Sequence, residues 1–381
     1  MLFTRELKIT GLQSSAFVFG PRLTGKTTLL SAVNATRAFD LLDPELEMQY
    51  HASPALFGEQ IAALPERSTI VVDEIQKVPT LLDYVQRGID RQGHIFILSG
   101  SSARKLKRGS ANMLGGRALD LRLHPLTSAE IGATFNLEHA IRFGTIPKIC
   151  SLLNEENQDL AMAHLRSYIT TYIKEEIQQE ALTRNIGAFQ RFLAVAAQNN
   201  GRLVEFSNIA RESAVAASTV KEYFHILEDT LIGFLLPPWS KKERLKTHSK
   251  FYFFDCGVAC AIQNRLADPP TPEDRGFLFE TWFIGELRRI RDYSGKQHEF
   301  SFWRKNNHEV DLIVSTGRGP VLGIECKSGS AEISVSTVKA FREKFRDVPL
   351  VVASAFGTIP RIVHGVEVLP WAEVIRRYRQ I

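Results

Sequence analysis

Apolar residues form short continuous runs in the first part of the chain, and each run has the length of a buried β-strand. Three such runs are Phe17–Phe19, Thr69–Asp73 and Ile95–Ser99. Stretches with helical spacing occur at Gly25–Ala35 and Leu81–Arg91. Continuous rather than alternating apolar runs are typical of strands that are buried on both faces of a parallel sheet. We therefore predict an α/β domain over residues 1–150, in which strands and helices alternate.

The pattern changes after residue 150, where apolar positions take helical spacing and turn residues become few. The predicted helices are Leu160–Gln179, Ile186–Gln198, Phe206–Glu212 and Ser218–Leu231. Pro237-Pro238, followed by the charged run Lys241–Arg244, marks a boundary or a linker. These features predict a helical middle domain over residues 151–238.

β-Strand patterns return in the last third of the chain. The predicted strands are Phe251–Phe254, Glu299–Trp303, Val310–Val314, Val321–Lys327 and Leu350–Ala353. Two predicted helices, Gly276–Ile290 and Val335–Phe345, lie among them. This mixture predicts a separate α/β domain over residues 239–381.

Composition and charge narrow the class of protein. The 381 residues are 44% hydrophobic and 23% charged, enough for two or three globular domains. Because no run of about 18 apolar residues occurs, and charges lie near the N-terminus, we expect neither a membrane span nor a secretion signal. Four scattered cysteines argue against a disulfide framework, which favours the cytoplasm. The net charge of +5 permits nucleic-acid binding, with a solvated basic surface as the alternative.

One segment matches the phosphate-binding loop pattern G-x-x-x-x-G-K-[ST] in full. Its residues, with the one that follows, are Gly20, Pro21, Arg22, Leu23, Thr24, Gly25, Lys26, Thr27 and Thr28. The loop joins a predicted strand to a predicted helix, the context in which backbone N–H groups surround phosphates. We expect Lys26 to reach the β- and γ-phosphates of ATP and Thr27 to bind Mg²⁺. A glycine loop without a ligand is the alternative.

An acidic pair follows the second predicted strand. We expect Asp73 to contribute to the Mg²⁺ shell and Glu74 to polarise the attacking water as a general base. Capping of a helix is the alternative role for the pair. Ser99 ends the next strand, where it is placed to touch the γ-phosphate or the water, or else to cap the following segment. Together with the loop, these residues predict ATP hydrolysis.

These motifs resemble, in their order, an AAA-type family of prokaryotic ATPases whose C-terminal domain has long been of unknown function. The matching segments are Gly20–Thr28, Val72–Gln76, Leu98–Ser102, Gly116-Arg117, Pro125-Leu126, Phe143–Pro147, Tyr168–Tyr172, Tyr252–Gly257 and Gly276–Glu280. Thr145 departs from the family pattern, in which a second glycine is more frequent. The resemblance implies an AAA-type P-loop domain with a parallel sheet that binds ATP and Mg²⁺.

The resemblance also implies an arginine that completes the site from a neighbouring subunit or from the lid. Arg117 is our candidate, with Arg104 and Arg108 as competitors and a surface salt bridge as the alternative. Such an arginine accelerates phosphoryl transfer by about 10³–10⁵-fold in the best-studied cases. We therefore expect a homo-oligomer, with a ring as one possible form.

The middle domain contains a predicted helix-turn-helix. Its second helix, Ser218–Leu231, carries Lys221 and His225 on one face. AAA-type ATPases related to replication initiators often carry a winged helix at this place, and the stretch resembles one. In such a motif the second helix enters the major groove of DNA. The alternative is a lid or a subunit contact that never touches DNA.

The C-terminal domain carries a second group of candidate catalytic residues. Strand alternation places Glu325 and Lys327 on one face, and Asp311 is expected at the start of a neighbouring strand. Two carboxylates beside a lysine form a Mg²⁺ site that can activate water. Glu280, on the preceding helix, can supply another carboxylate, whereas Glu309 is expected to be an edge polar residue. Asp311 and Glu325 are therefore our candidate metal ligands.

The order helix–strand–strand–strand–helix–strand, with Asp311 and Glu325-x-Lys327, resembles the restriction-endonuclease-like PD-(D/E)XK fold. Glu280 is placed as in archaeal Holliday-junction resolvases of that superfamily, and Val310 replaces the proline of the signature. A chance match or an inherited but inactive site is the alternative. An active site should gather the carboxylates around Mg²⁺, whereas an inactive one should show them exposed or paired with basic residues.

The sequence thus predicts an ATP-hydrolysing AAA-type protein with a Mg²⁺-dependent nuclease-like C-terminal domain that acts on DNA. The first alternative is an ATP-driven switch or assembly protein whose nuclease-like domain is inactive and only binds nucleic acid or a protein partner. The second is a P-loop signalling protein without a nucleic-acid partner.

Overall fold

The computed structural model describes residues 3–101, 114–173, 185–240, 248–329 and 332–381. The chain divides into two compact units, residues 1–126 with 229–231 and residues 127–228 with 232–381. Within the described ranges, no helix has the length and apolar character that crossing a membrane requires. The charged run Lys241–Arg244, predicted as a linker, lies outside these ranges. The three-domain division stays a prediction.

The first unit is built on a parallel sheet with the strand order β2-β3-β4-β1-β5. Its strands are β1 (Ser15–Phe19), β2 (Arg37–Asp40), β3 (Thr69–Asp73), β4 (Ile95–Gly100) and β5 (Ala118–Arg122). Its helices are α1 (Lys26–Ser31), α2 (Pro44–Ala52), α3 (Pro54–Ala62) and α4 (Leu81–Gln92), with a 3-10 turn at Ile75–Lys77. The inner strands β1, β3 and β4 are almost entirely buried, which agrees with their continuous apolar runs. The predicted N-terminal parallel sheet is confirmed.

Helix α1 is shorter than the sequence pattern predicted. The pattern extended the helix to Ala35, whereas α1 ends at Ser31. The amide of Thr36 already donates to the carbonyl of Thr69, where the pairing of β2 with β3 begins. The chain must therefore leave the helix early in order to enter the sheet.

The second unit combines a helical layer with two sheets, and one large hydrophobic core runs through it. The helices of that layer are α5 (Ser128–Ile131), α6 (Leu137–Phe143), α7 (Pro147–Asn154), α8 (Gln158–Ser167), α9 (Ile186–Gln198), α10 (Phe206–Ser213), α11 (Ala217–Asp229) and α12 (Cys256–Ile262). A 3-10 turn occupies Gly132–Thr134, and a π-helix at Tyr168–Ile173 follows α8, where one continuous α-helix was predicted. The antiparallel hairpin of β6 (Gly233–Leu236) and β7 (Lys250–Phe253) comes after α11.

The larger sheet of the second unit has the strand order β12-β13-β11-β10-β9-β8. Its strands are β8 (Glu299–Lys305), β9 (His308–Thr316), β10 (Gly319–Lys327), β11 (Leu350–Ser354), β12 (Arg361–Val363) and β13 (Val366–Pro370). Its helices are α13 (Pro272–Tyr293), α14 (Val335–Lys344) and α15 (Trp371–Gln380). The observed order α13-β8-β9-β10-α14-β11 agrees with the predicted order of elements, and α13 packs against β10.

Two segments that carried the family resemblance, Phe143–Pro147 and Tyr252–Gly257, lie against each other. Asp255 accepts a hydrogen bond of 2.7 Å from the amide of Thr145. A Cβ atom on Gly144 would lie 1.8 Å from Asp255 Oδ1, so this position excludes a side chain. Arg289 of α13 donates to the Thr145 hydroxyl at 2.9 Å. These contacts fix the long helix α13 against the helical layer, and the departure at Thr145 gives Arg289 a partner.

Candidate functional sites

The phosphate-binding loop runs from the end of β1 to the start of α1. A Cβ atom on Gly20 would lie 2.3 Å from the carbonyl oxygen of Leu123, so a side chain there would push the loop away. Leu23 and Gly25 take φ angles of 64° and 90°, in the left-handed region that favours glycine. Strand β4 lies between β1 and β3, so the carboxyl ends of all three strands meet at one edge of the sheet. Ligands of open α/β sheets bind at this edge.

Lys26 is buried at the base of this loop. Its ammonium group donates to the carbonyl oxygens of Gly20 at 2.7 Å and Pro21 at 3.3 Å. The Thr24 hydroxyl also donates to Pro21, and Arg5 donates to the Thr24 carbonyl at 2.6 Å. These bonds hold the loop closed around the lysine. The remaining loop positions lie nearer the surface: Arg22 is half-buried, and Leu23, Thr27 and Thr28 are exposed.

Asp73, at the end of β3, meets the loop through Thr27. The Thr27 hydroxyl donates to Asp73 Oδ2 at 2.7 Å, and the Ser99 hydroxyl donates to the other carboxylate oxygen. A hydroxyl and a carboxylate side by side are oxygen ligands that suit Mg²⁺ when phosphate oxygens supply further ligands. The residues present therefore fit a Mg²⁺ ion, with Thr27 and Asp73 as its protein ligands. This role for the two residues stays a prediction.

Glu74 is held by two further residues. Its backbone has a φ of 59°, and its amide donates to the Ser99 hydroxyl at 2.9 Å. Its carboxylate accepts a hydrogen bond from the side-chain amide of Gln76. Ser99 is fully buried, and its hydroxyl contacts both acidic residues, donating to Asp73 and accepting from the amide of Glu74. Its predicted contact with the γ-phosphate or the water is still a prediction.

Gln76 is a residue of this site that the sequence analysis did not single out. It is 6% exposed, and its Nε2 also lies 3.4 Å from the hydroxyl of Ser101. Its Oε1 has no hydrogen-bond partner among the residues that the structure describes. The signal was its place in the segment Val72–Gln76, which carried the family resemblance. Gln76 therefore links the candidate base to the chain that follows β4.

Arg117 lies just before β5, on the surface of the first unit. Its Nε is 2.7 Å from Asp90 Oδ1, and its side chain is 37% exposed. The hydrogen bond from Arg117 holds the pKa of Asp90 below its usual value. This salt bridge is the alternative considered for Arg117, whose role in a neighbouring subunit stays a prediction. Arg104 and Arg108 lie outside the described residues.

The C-terminal candidates come together in the second unit, where α13, β9 and β10 meet. Asp311 Oδ2 accepts a hydrogen bond of 2.9 Å from the amide of Cys326, across the pair β9–β10. Lys327 Nζ lies 2.7 Å from Glu325 Oε1. Asp311 is the fourth residue of β9 rather than its first, because β9 already begins at His308.

Lys250 is the main member of this group that the sequence analysis missed. It is 4% exposed, and its Nζ lies 2.8 Å from Glu280 Oε1, 2.6 Å from Glu309 Oε1 and 3.3 Å from Asp311 Oδ1. The Tyr252 hydroxyl donates to the same Glu280 oxygen at 2.6 Å. Glu309, which was expected to be an edge polar residue rather than a ligand, is half-buried and pairs with both Lys250 and Arg304. We call Lys250, Tyr252, Glu280, Glu309 and Asp311 the Lys250 cluster.

Burial and mutual repulsion raise the pKa values of two acids in this region. Burial, with the charge of Asp311, raises the pKa of Glu280 to about 7 and that of Glu325 to about 8. Burial alone would lower the pKa of Lys250, but the surrounding Tyr252 and carboxylates outweigh it and raise that pKa well above its usual value. The lysine is therefore charged at neutral pH, whereas Glu280 and Glu325 bind protons more readily than free glutamates.

The described arrangement does not fit a bound Mg²⁺ ion. Glu280 and Asp311 face the ammonium group of Lys250, and Glu325 faces that of Lys327. In the part of the chain that the structure describes, no group of three or more His, Cys, Asp or Glu side chains could hold a metal ion. Metal binding by Asp311 and Glu325 therefore stays a prediction that this geometry does not favour.

The helix-turn-helix segment is formed by α10 and α11. Ala214, between them, has a φ of 53°, and the hairpin β6–β7 follows the second helix. Lys221 and His225 are both exposed on α11. The winged-helix assignment and contact with DNA both remain predictions.

Family models match three consecutive segments of the chain. Residues 13–132 match an AAA domain, which supports the predicted AAA-type ATPase family. Residues 134–268 match a domain of unknown function (DUF8612), and residues 275–374 match another (DUF4143). The C-terminal candidates Glu280, Asp311, Glu325 and Lys327 all lie in the last segment.

Proteins of similar sequence occur in bacteria and archaea. The uncharacterized protein Rv2008c of Mycobacterium tuberculosis is 27% identical over 322 residues, which cover 82% of this chain and 69% of that protein. The uncharacterized protein MJ1544 of Methanocaldococcus jannaschii is 24% identical over 311 residues, covering 76% and 67%. A solved structure, the replication initiator DnaA bound to AMPPCP and single-stranded DNA, covers 57% of this chain and 83% of its own at 13% identity. Its TM-score of 0.31 is too low to support an inference.

Proposed function

We propose that this chain is an ATP-hydrolysing protein of the AAA type, whose first unit binds ATP with Mg²⁺. The observation that carries the proposal is the contact of Thr27 with Asp73 at 2.7 Å, which joins the phosphate-binding loop to the acidic strand end. The match of residues 13–132 to an AAA domain supports it. The glycines of the loop allow a backbone that can enclose phosphates.

Each residue of this site has a distinct role in the proposal. Lys26 binds the β- and γ-phosphates, and Thr27 and Asp73 hold Mg²⁺. Glu74 accepts a proton from the attacking water. Ser99 holds Asp73 and the backbone of Glu74 in position through its hydrogen bonds to both residues. Bound Mg²⁺ supplies charge neutralisation at the phosphates.

Steady-state ATP hydrolysis by Glu74→Gln tests this assignment. The carboxamide fills the same space but cannot take the proton, so turnover should fall by about 10²–10⁴-fold while ATP affinity is kept. Glu59→Gln, at an exposed position of α3, is the matched control and should hydrolyse ATP at the wild-type rate. Wild-type turnover by Glu74→Gln would show that Glu74 is not the base.

For the rest of the chain we propose a winged helix in residues 151–238 and a PD-(D/E)XK-like domain in residues 239–381. DNA is the proposed partner of both. The succession of α10, α11 and a hairpin supports the first, and the order α13-β8-β9-β10-α14-β11 supports the second. The proposed protein is a homo-oligomer, with Arg117 completing a neighbouring site. DNA binding measured across salt concentrations tests the partner, because neutralised phosphates give a negative slope of log affinity against log salt.

Two roles are open to the C-terminal domain, DNA cleavage and binding without cleavage, and one observation supports the latter. Glu280 and Asp311 are paired with Lys250, a basic residue outside the predicted active site, which is the arrangement expected of an inactive domain. We therefore favour a domain that binds nucleic acid or a protein partner without cutting, and keep DNA cleavage as the second candidate. Incubation with Mg²⁺ or Mn²⁺ and branched, linear or supercoiled DNA decides between them. Cuts that Asp311→Ala abolishes would support cleavage.

A further inference from the structure

The Lys250 cluster contains a positive charge where a nuclease-like site would bind a metal. We propose that Lys250 is a built-in counter-ion that replaces a divalent cation, so that the carboxylates around it bind such a cation only when the lysine is removed. This inference deepens the proposed function of the C-terminal domain and rests on the assignment of that domain to a nuclease-like fold.

Three carboxylates surround the side-chain nitrogen of Lys250. Oxygen atoms of Glu280, Glu309 and Asp311 lie within 3.3 Å of Lys250 Nζ. An ammonium group has three N–H donors, so these three carboxylates can satisfy it completely. Carboxylate oxygens that converge from a helix and a strand are also the ligands that divalent cations take. The ammonium group of Lys250 thus lies where the three carboxylates converge.

The balance of charge in the same region depends on this lysine. Glu280, Asp311 and Glu325 are each 8% exposed, and Lys327 is bound to Glu325. Without Lys250, Glu280 and Asp311 would lose the ammonium group that each of them contacts. One oxygen of Glu325, Oε2, is already buried without a hydrogen bond in the part of the chain that the structure describes. Removal of the lysine would therefore leave the ionised forms of Glu280 and Asp311 without a counter-charge, which a bound divalent cation would supply.

Solvent can reach the cluster, and the lysine comes from a different element than the acids. A cleft of about 430 Å³ opens onto Lys250, Glu280 and Glu309, so an ion can reach them from solvent.

The carboxylates come from α13 and β9, whereas the lysine comes from the hairpin that follows the helix-turn-helix. The amide of Phe251 donates to the carbonyl of Arg202 at 3.2 Å, which fixes the strand that carries the lysine. The counter-ion is thus supplied by a different part of the unit from the acids that it neutralises.

Mn²⁺ binding by Lys250→Met, without nucleotide, tests the proposal by electron paramagnetic resonance and calorimetry. Methionine keeps most of the side-chain length but removes the charge. We expect this variant to bind one Mn²⁺ at least about tenfold more tightly than the wild type, because affinity follows the net charge of the ligands. Adding Asp311→Asn to the variant should remove the gain. Lys339→Met, at an exposed position of α14, is the matched control and should bind as the wild type does.

Two results would overturn the proposal. One is a folded Lys250→Met chain, checked by circular dichroism, that binds Mn²⁺ no better than the wild type. The other is Mn²⁺ binding by the wild type that Asp311→Asn abolishes, a measurement that needs no lysine variant and so remains decisive if Lys250→Met fails to fold. DNA cleavage is measured on the same samples. Cleavage bears on the proposed role of the domain, whereas the Mn²⁺ data alone decide the role of Lys250.

Discussion

The phosphate-binding loop and the Lys250 cluster each enclose a buried lysine, but the two lysines have different hydrogen-bond partners. Lys26 donates to two backbone carbonyl oxygens of its own loop. Lys250 contacts three carboxylates that lie far from it in sequence. Three carboxylates neutralise the ammonium group of Lys250. The proposed roles of the two lysines also differ, because Lys26 is proposed to bind the phosphates of ATP, whereas Lys250 stabilises a group of buried acids.

The largest expected difference between the two lysines is in stability. Lys250→Met leaves buried carboxylates without their partner, which typically costs about 3–5 kcal/mol of unfolding free energy. Chemical denaturation of the full chain, followed through the unfolding of the second unit, measures this loss of unfolding free energy. Lys339→Met, at an exposed position, is the control. A loss below about 1 kcal/mol, the range of exposed ion pairs, would show that the contacts of Lys250 are not structural.

Lys26→Met should instead impair ATP binding and turnover. A lysine that stabilises phosphate charge is expected to contribute about 10²–10³-fold, in line with other preorganised electrostatic contacts. Lys8→Met, at an exposed position of the same unit, should leave both quantities unchanged. Titration with a fluorescent ATP analogue and steady-state turnover provide the measurements. If Lys26→Met bound ATP normally, the loop would not be the nucleotide site.

Gln76 provides a further test in the first unit, because its side-chain amide donates a hydrogen bond to the candidate base Glu74. Gln76→Leu removes a hydrogen bond to a charged group, worth about 1.5–3 kcal/mol, so turnover should fall roughly ten- to hundredfold. ATP affinity should be unchanged, and this split between turnover and binding separates positioning from a general structural role. Gln49→Leu, at an exposed position of α2, is the control. Equal losses of affinity and turnover in Gln76→Leu would contradict the assignment.

The smallest expected effect is a pH dependence of stability in the second unit. The folded-state pKa values of Glu280 and Glu325 are raised, to about 7 and about 8. A raised carboxyl pKa means that protonation of the two glutamates favours the folded state. Their contribution to the free energy of unfolding is fully present below about pH 4.5 and is lost as the pH rises to 8. We expect the free energy of unfolding to fall by at least about 1.4 kcal/mol, which corresponds to a tenfold change in proton affinity. Glu325→Gln should reduce the dependence of the unfolding free energy on pH. If the pH profile of this variant ran parallel to that of the wild type, Glu325 would be excluded as a source of the dependence.

The grouping of residues in the candidate nucleotide site could be predicted in large part, because they are close in sequence or end apolar strands. The loop is one continuous segment, and Asp73 and Ser99 each close a run that the hydrophobic pattern reveals. The outer strands β2 and β5 escaped prediction because they are only partly buried and lack such runs. The part played by Gln76 depends on a side-chain contact that no spacing specifies.

The Lys250 cluster could be predicted only in part, for a different reason. Strand alternation related Glu325 to Lys327, and the same rule places Glu309 and Asp311 on one face of β9, a signal that was available. Lys250, by contrast, ends a basic stretch that is typical of solvent-exposed residues. Its burial results from the approach of β7 to α13 and β9, a long-range contact that local patterns do not encode.

The number of Mn²⁺ ions bound by each wild-type chain tests the metal site of the first unit and the counter-ion role of Lys250 together. The ions are counted with a saturating non-hydrolysable ATP analogue and then without it. We expect one ion with the analogue, held by Thr27 and Asp73, and none without it, because the ammonium group of Lys250 already neutralises the carboxylates of the second unit. A second ion that Asp311→Asn removes would contradict the counter-ion role of Lys250. A count of zero with the analogue bound would contradict the metal site of the first unit.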